Sequence, residues 1–172
     1  VGRTPRLGYV SATTAGSLSS VRHAIPVATT GSSGSPVGGF RLYGIFGSTD
    51  VATVAGARMF FGMRNLTTAP TNVEPSTITN CMGFAGLSTS SNLHIVYGGS
   101  AAQTPIDLGA KFAAHSLLAD NVMFEVLIEV SGASNTSFSY WVRNINTGNE
   151  ESGTVTGTPS TEIPANTVGL NF

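Results

Sequence analysis

A chain of 172 residues is long enough for one domain with a full core, or for one domain with an N-terminal arm. Hydrophobic residues make up 41% of it and charged residues only 10%, with a net charge of −1. That balance excludes nucleic acid as a main partner, because phosphate binding needs a basic surplus, and nine Phe, four Tyr and one Trp argue against disorder.

The opening, residues 1–36, reads as a loop-rich arm. It holds one short apolar patch, Leu7-Gly8-Tyr9-Val10, and a Gly/Ser run from Thr29 to Gly39 crosses its end. The texture changes for residues 37–172. Phe40 to Phe46 reads as a strand with Phe40, Leu42 and Phe46 on one face. Gly47 to Asp50 turns the chain, and Thr49 or Asp50 is placed to cap a helical turn through Val51 to Ala55. Arg58 to Met63 is the next strand. A long connection from Asn65 to Asn80 carries Pro70 and Pro75, with one helical turn expected at Ser76–Asn80. Cys81 to Ala85 is an apolar run without alternation, which is consistent with a buried strand. Leu93 to Tyr97 is another strand, and Ile106-Asp107-Leu108 is a marginal one.

The clearest pattern is Met123 to Val130. Phe124, Val126, Ile128 and Val130 share one face, and Glu125, Leu127 and Glu129 share the other. A turn at Ser131–Asn135 leads to a partner strand, Phe138 to Asn144. A second turn at Asn146–Asn149 leads to Thr154-Val155-Thr156, completing a three-stranded meander. Thr167 to Phe172 reads as a last strand. Eight or nine short strands, with no long apolar stripe at helical spacing, predict an all-β fold: an antiparallel β-sandwich, jelly-roll-like, following the arm.

Cys81 is the only cysteine, so the chain has no internal disulfide and no cysteine-based zinc site. No apolar run approaches the ~20 residues of a membrane helix, so no membrane insertion is expected. The first residue is Val and the last strand has nothing after it, so the chain reads as a segment of a longer protein. Two Asn-x-Ser/Thr sequons, at Asn65 and Asn135, are of a frequency that a Thr-rich chain produces by chance.

Several fragments occur in a familiar order. They are Arg6-Leu7-Gly8-Tyr9-Val10, Gly56-Ala57-Arg58-Met59-Phe60-Phe61-Gly62, Pro75-Ser76-Thr77-Ile78-Thr79-Asn80 and Ile106-Asp107-Leu108-Gly109-Ala110. Asn146-Thr147-Gly148 and Gly153-Thr154-Val155-Thr156-Gly157 follow. From about residue 6 onward the series resembles a family of bacteriophage virion structural proteins, commonly fibre-type. The resemblance implies a β-sandwich, often trimeric, on the outside of the particle. It transfers no site residue, and it leaves open tail fibre, head fibre, spike and capsid decoration.

The residues themselves give little sign of catalysis. The chain has no zinc-protease motif, no phosphate loop, no dinucleotide fingerprint and no Gly-x-Ser-x-Gly elbow. Glu125 and Glu129 face the same way, but four strand residues separate them by about 13 Å, beyond the ~5.5 Å or ~9.5 Å that glycosidase carboxylates need. They read as solvent-facing side chains, and Asp50, Asp107 and Asp120 as turn or cap residues. Of the three histidines, His23, His94 and His115, either His94 or His23 is the candidate for a metal held on a threefold axis, against the plainer reading of His94 as a hydrogen-bonded sandwich residue. Cys81 reads as a buried thiol. Tyr140 and Trp141 are adjacent on a strand and so face opposite ways. One belongs to the core, and the other offers either a subunit contact or a stacking surface for a sugar. Arg58 and Arg64 flank an apolar strand and are candidates for pairing across a subunit boundary.

No enzyme activity and no cofactor are expected. The expected function is structural: a fibre or spike module at the particle surface, contributing to assembly and to attachment at a host glycan or receptor. The expected partners are copies of itself, as a homotrimer, and other virion proteins. A purely structural decoration or head-fibre part is the alternative, as is a lectin-like adhesion domain.

Overall fold

A computed structural model describes residues 8, 14, 17–32, 38–48, 56–66, 68–114 and 122–172. The patch at Leu7–Val10 apart from Gly8, the helical turn at Val51–Ala55 with its caps, His115 and Asp120 lie outside the described residues.

The described residues form eight strands in two antiparallel four-stranded sheets. The first sheet has the order β1-β6-β7-β8, from Phe40–Ser48, Val122–Val130, Ser137–Asn144 and Glu150–Thr156. The second has the order β2-β3-β4-β5, from Met59–Arg64, Cys81–Gly86, Leu93–Gly98 and Ile106–Asp107. Successive strands pair within each sheet, and only β1 is recruited from a distance, onto β6. The sandwich is therefore built of two meanders. Among the described residues its helical content is two 3-10 turns, Pro75–Thr77 and Ala110–Phe112; the first is the turn expected just before Cys81, one residue early.

Alternation dictates the facing of the first sheet. Val122, Phe124, Val126, Ile128 and Val130 of β6 are buried, as are Phe138, Tyr140 and Val142 of β7. They meet Met82, Phe84, Leu93 and Ile95 of the second sheet in one core. Aromatic rings cross between the layers. Phe46 stacks on Phe61 at 4.8 Å, Phe84 meets Tyr140 edge-on at 6.4 Å, and Tyr97 meets Phe138 at 5.9 Å. Glycine makes room for two of these rings. A Cβ at Gly44 would meet Phe61 Cζ at 2.5 Å, and one at Gly153 would meet the Tyr140 ring at 2.7–2.9 Å.

Polar turn chemistry closes the first sheet's hairpins. Ser131 Oγ accepts from the Ala133 N–H, and Ser134 Oγ from that of Thr136. Asn144, itself buried, accepts from the backbone N–H groups of Asn146 and Thr147, and Gly148 then takes a φ of 77°.

The chain's end differs from expectation. Residues 167–172 form single bridges, Leu170 to Ala28 and Asn171 to Arg64, where a strand was expected. They are held by a stretch of the N-terminal region: His23 N–H donates to the Phe172 carbonyl, and the Asn171 amide donates to the His23 carbonyl. Thr30, fully buried, donates to the Pro164 carbonyl at 2.9 Å. The part of the arm from His23 to Ser32 is thus tied into the sandwich.

Candidate functional site

The two sheets present different outer faces. On the second sheet, Cys81, Gly83 and Ala85 of β3 point outward and are nonetheless buried, as are His94, Val96 and Gly98 of β4. The connection between Asn65 and Asn80 lies over them. Its 3-10 turn touches β4, Pro75 and Ile78 are buried, and the Cys81 thiol donates to the Ile78 carbonyl. Arg58 fastens this strap from beneath: its guanidinium lies 3.8 Å from Glu74 and donates to Asn72, and Glu74 also accepts from the Ser88 N–H at 3.1 Å.

Among the described residues, the outer face of the first sheet is open. Cross-strand register places Tyr43, Leu127, Trp141 and Ser152 in one row across four strands. The row on one side is Arg41, Glu129, Ser139 and Thr154, and on the other Ile45, Glu125, Arg143 and Glu150. Tyr43 is 58% exposed and Ile45 50%, while Leu127 and Trp141 are partly exposed. Arg41 pairs with Glu129 at 2.7 Å, and Arg143 lies 3.6 Å from Glu150. The Tyr43 hydroxyl donates to Glu125, which ties the far end of the ring to β6. That bond, with the nearby carboxylate charge, raises the phenol pKa above its ordinary value and keeps the hydroxyl protonated as a donor. Among the described residues, no hydrogen bond or ion pair fastens another segment over this face.

The residues singled out from sequence fall as follows. Tyr140 is the core member of its pair, packed on Gly153 and Phe84, so its ring offers no stacking surface. Trp141 lies on the open face, beside Leu127. Arg58 is engaged by its own chain. Arg64, opposite Cys81, is half-buried; that desolvation depresses its pKa, and among the described residues its Nε has no hydrogen-bond partner. Cys81 is buried, and desolvation pushes its thiol up to about 12.

His94 is 6% exposed, with Nδ1 2.9 Å from the Asn92 carbonyl and Nε2 3.9 Å from Asp107. Asp107 accepts from the Gly109 N–H and the Asn92 amide, and its pKa is lowered, chiefly by Gly109. His23 is exposed, with Nδ1 against the Ile25 carbonyl. Among the described residues no three His, Cys, Asp or Glu side chains come together to hold a metal, and no helix is long and apolar enough to cross a membrane. A shallow hollow between Pro26–Thr29, Gly38, Gly39 and Gly169 carries no ionisable side chain.

Sequence reasoning missed Tyr43, Arg41, Ile45 and Arg143. The signal for the first three was present in β1, where Arg41, Tyr43 and Ile45 alternate with Phe40, Leu42 and Phe46. What brings Tyr43 level with Trp141 is the pairing of β1 with β6, strands some eighty residues apart. No protein-family model, curated protein or solved structure matches the chain.

Proposed function

We propose that this chain is a non-enzymatic module of a bacteriophage particle, exposed at the virion surface as part of a fibre or spike, where it contributes to assembly and to host attachment. The observation that carries the reading is the inequality of the two outer faces. One sheet is closed over by its own strap, while the other displays Tyr43, Leu127 and Trp141 in register on a rigid support. Rigid aromatic side chains on a sheet bind partners with little loss of conformational freedom. The ordered fragments quoted from the sequence supply the phage assignment.

Assembly with further copies, as a homotrimer, and with other virion proteins has a second support. Leu18, Val21, Ile25 and Val27 of the arm are 49–64% exposed, an aliphatic series on one short stretch of chain. This series also favours the second reading, a decoration or head-fibre part that only assembles.

The test is to add purified, fluorescently labelled protein to candidate host cells and to measure its mass in solution by light scattering. Saturable cell binding that Trp141→Ala weakens at least tenfold supports attachment. A stable trimer without cell binding favours the structural part. A monomer that binds no cell overturns both.

A further inference from the structure

We infer that the open face of the β1-β6-β7-β8 sheet is a binding site for a neutral, linear oligosaccharide laid across the strands. The inference rests on the attachment reading above and deepens it by naming the ligand class.

Spacing is the first argument. Tyr43 on β1 and Trp141 on β7 lie in one cross-strand row with Leu127 of β6 between them. Two strand spacings of about 4.8 Å put the two aromatic residues roughly 10 Å apart, the span of two linked pyranose rings. Leu127 gives an apolar floor between them. A pyranose offers a C–H face to a ring below and hydroxyls around its edge, which calls for an aromatic platform flanked by fixed hydrogen-bonding groups.

Those groups are the second argument. The flanking rows hold Arg41 and Glu129 on one side and Glu125, Arg143 and Glu150 on the other. Each is already oriented by a partner: Arg41 by Glu129, Arg143 by Glu150, and Glu125 by the Tyr43 hydroxyl. A carboxylate that accepts one such bond keeps lone pairs for sugar hydroxyls, and charge-assisted bonds of this kind are the stronger ones.

Charge and area narrow the class. Among the described residues, three carboxylates face two guanidiniums on this sheet, and both guanidiniums are matched, so none of these cations is left over for an acidic sugar. The face is four strands wide and about four outward residues long, roughly 400 Å² by strand geometry, against about 800 Å² per partner for a stable protein interface. A linear glycan fits that footprint, and a folded protein does not cover itself with it.

Trp141 is the only tryptophan in the chain, so its emission reports on the site directly. The intact protein is screened on an array of neutral and acidic linear oligosaccharides, and the strongest neutral hexasaccharide is then titrated against Trp141 fluorescence. The expected result is a saturable shift in emission. Tyr43→Ala, which leaves the reporter in place, weakens binding at least tenfold; Glu129→Gln weakens it several-fold, and a monosaccharide binds far more weakly than the hexamer. Binding confined to acidic glycans, binding to no glycan, or binding indifferent to Tyr43→Ala overturns the inference. If host cells are still bound while any of these holds, the attachment reading stands and only the ligand assignment fails.

Discussion

The outer faces of the two sheets solve the same problem in opposite ways. On the second sheet, the outward positions at its centre are small: Gly62 and Gly83 stand opposite one another, with Cys81 and Ala85 along the same strand as Gly83. A Cβ at Gly62 or Gly83 would meet the facing backbone at 2.4 or 2.7 Å, and the Phe60 ring lies over Gly83. Small residues let the strap sit close, and its burial makes this face a second, thinner core of Ala85, Leu87 and Val96. On the first sheet, the central outward row is Tyr43, Leu127, Trp141 and Ser152, flanked by charged and hydroxyl side chains, and no other described segment is fastened over it. Outward Gly62, Gly83 and Ala85 thus let a covering segment sit close, whereas Tyr43, Leu127 and Trp141 stand on a face over which no other described segment is fastened.

The largest test of this contrast is Gly83→Val. The added methyls must displace Phe60 and press on the Phe61 carbonyl, so we expect about 3 kcal/mol of destabilisation, at the top of the range for overpacking. Ser139→Val, at an outward position of the open face, should stay within about 0.5 kcal/mol. Urea denaturation of the two variants reads the difference, and equal effects would mean that the faces are not distinct.

A second test uses Cys81, which the strap seals from solvent. Its thiol is pushed from an ordinary 9.0 to about 12 when folded. The raised value means that its contribution to stability is fully present below pH 9 and is lost as pH climbs toward 12, because the unfolded thiol ionises first. By pH 11 this amounts to roughly 2–3 kcal/mol. Cys81→Ala should flatten that part of the stability profile, and the native thiol should resist iodoacetamide at pH 8.5 until the protein is denatured. Rapid alkylation of the folded protein would show the strap to be open.

The strap's fastening gives a smaller effect. Glu74 and Arg58 are each about a quarter exposed, and Glu74 also takes the Ser88 N–H. Glu74→Ala should cost about 1 kcal/mol and speed amide exchange between residues 72 and 80, with the first sheet unaffected. Unchanged exchange there would leave the strap held by apolar contact alone.

How much of this was legible in the sequence follows from the range of each interaction. Period-two alternation revealed β6 and its buried face, because each side chain's direction depends only on its neighbours in the chain. The unbroken apolar run at Cys81 announced a buried strand, though not that its outer side would be covered as well, nor by what. Adjacency of Tyr140 and Trp141 showed that one faced inward, but choosing between them needed Gly153, whose missing side chain makes the hollow that Tyr140 fills. The candidate site was least legible. Trp141 was in view, whereas Tyr43 joins it only through the β1–β6 register, which no local pattern encodes. Residues 167–172 looked like a strand for the same reason in reverse. Their apolar side chains serve packing, Val168 and Leu170 in the core and Phe172 against Phe61, and among the described residues their backbone makes only single bridges to Ala28 and Arg64.

The smallest expected effect is on the open face itself. Arg41 and Glu129 make a shorter ion pair there than Arg143 and Glu150, 2.7 Å against 3.6 Å, in direct cross-strand register. Geometry alone would rank it as strong. Exposure reverses that ranking, because the two side chains remain 66% and 47% exposed. Water and salt screen the attraction, and fixing two long side chains opposes it, so the pair should contribute under about 0.5 kcal/mol. A double-mutant cycle of Arg41→Met and Glu129→Gln measures the coupling without the costs of either change alone. It should be small in dilute buffer and vanish in about 1 M salt, where the screening length falls to ~3 Å. A coupling above 1 kcal/mol that survives such salt would mean the pair is shielded, and therefore that something covers this face as the strap covers the other. The pair's value would then lie in stability, and the free carboxylate edge that the oligosaccharide site requires would not exist.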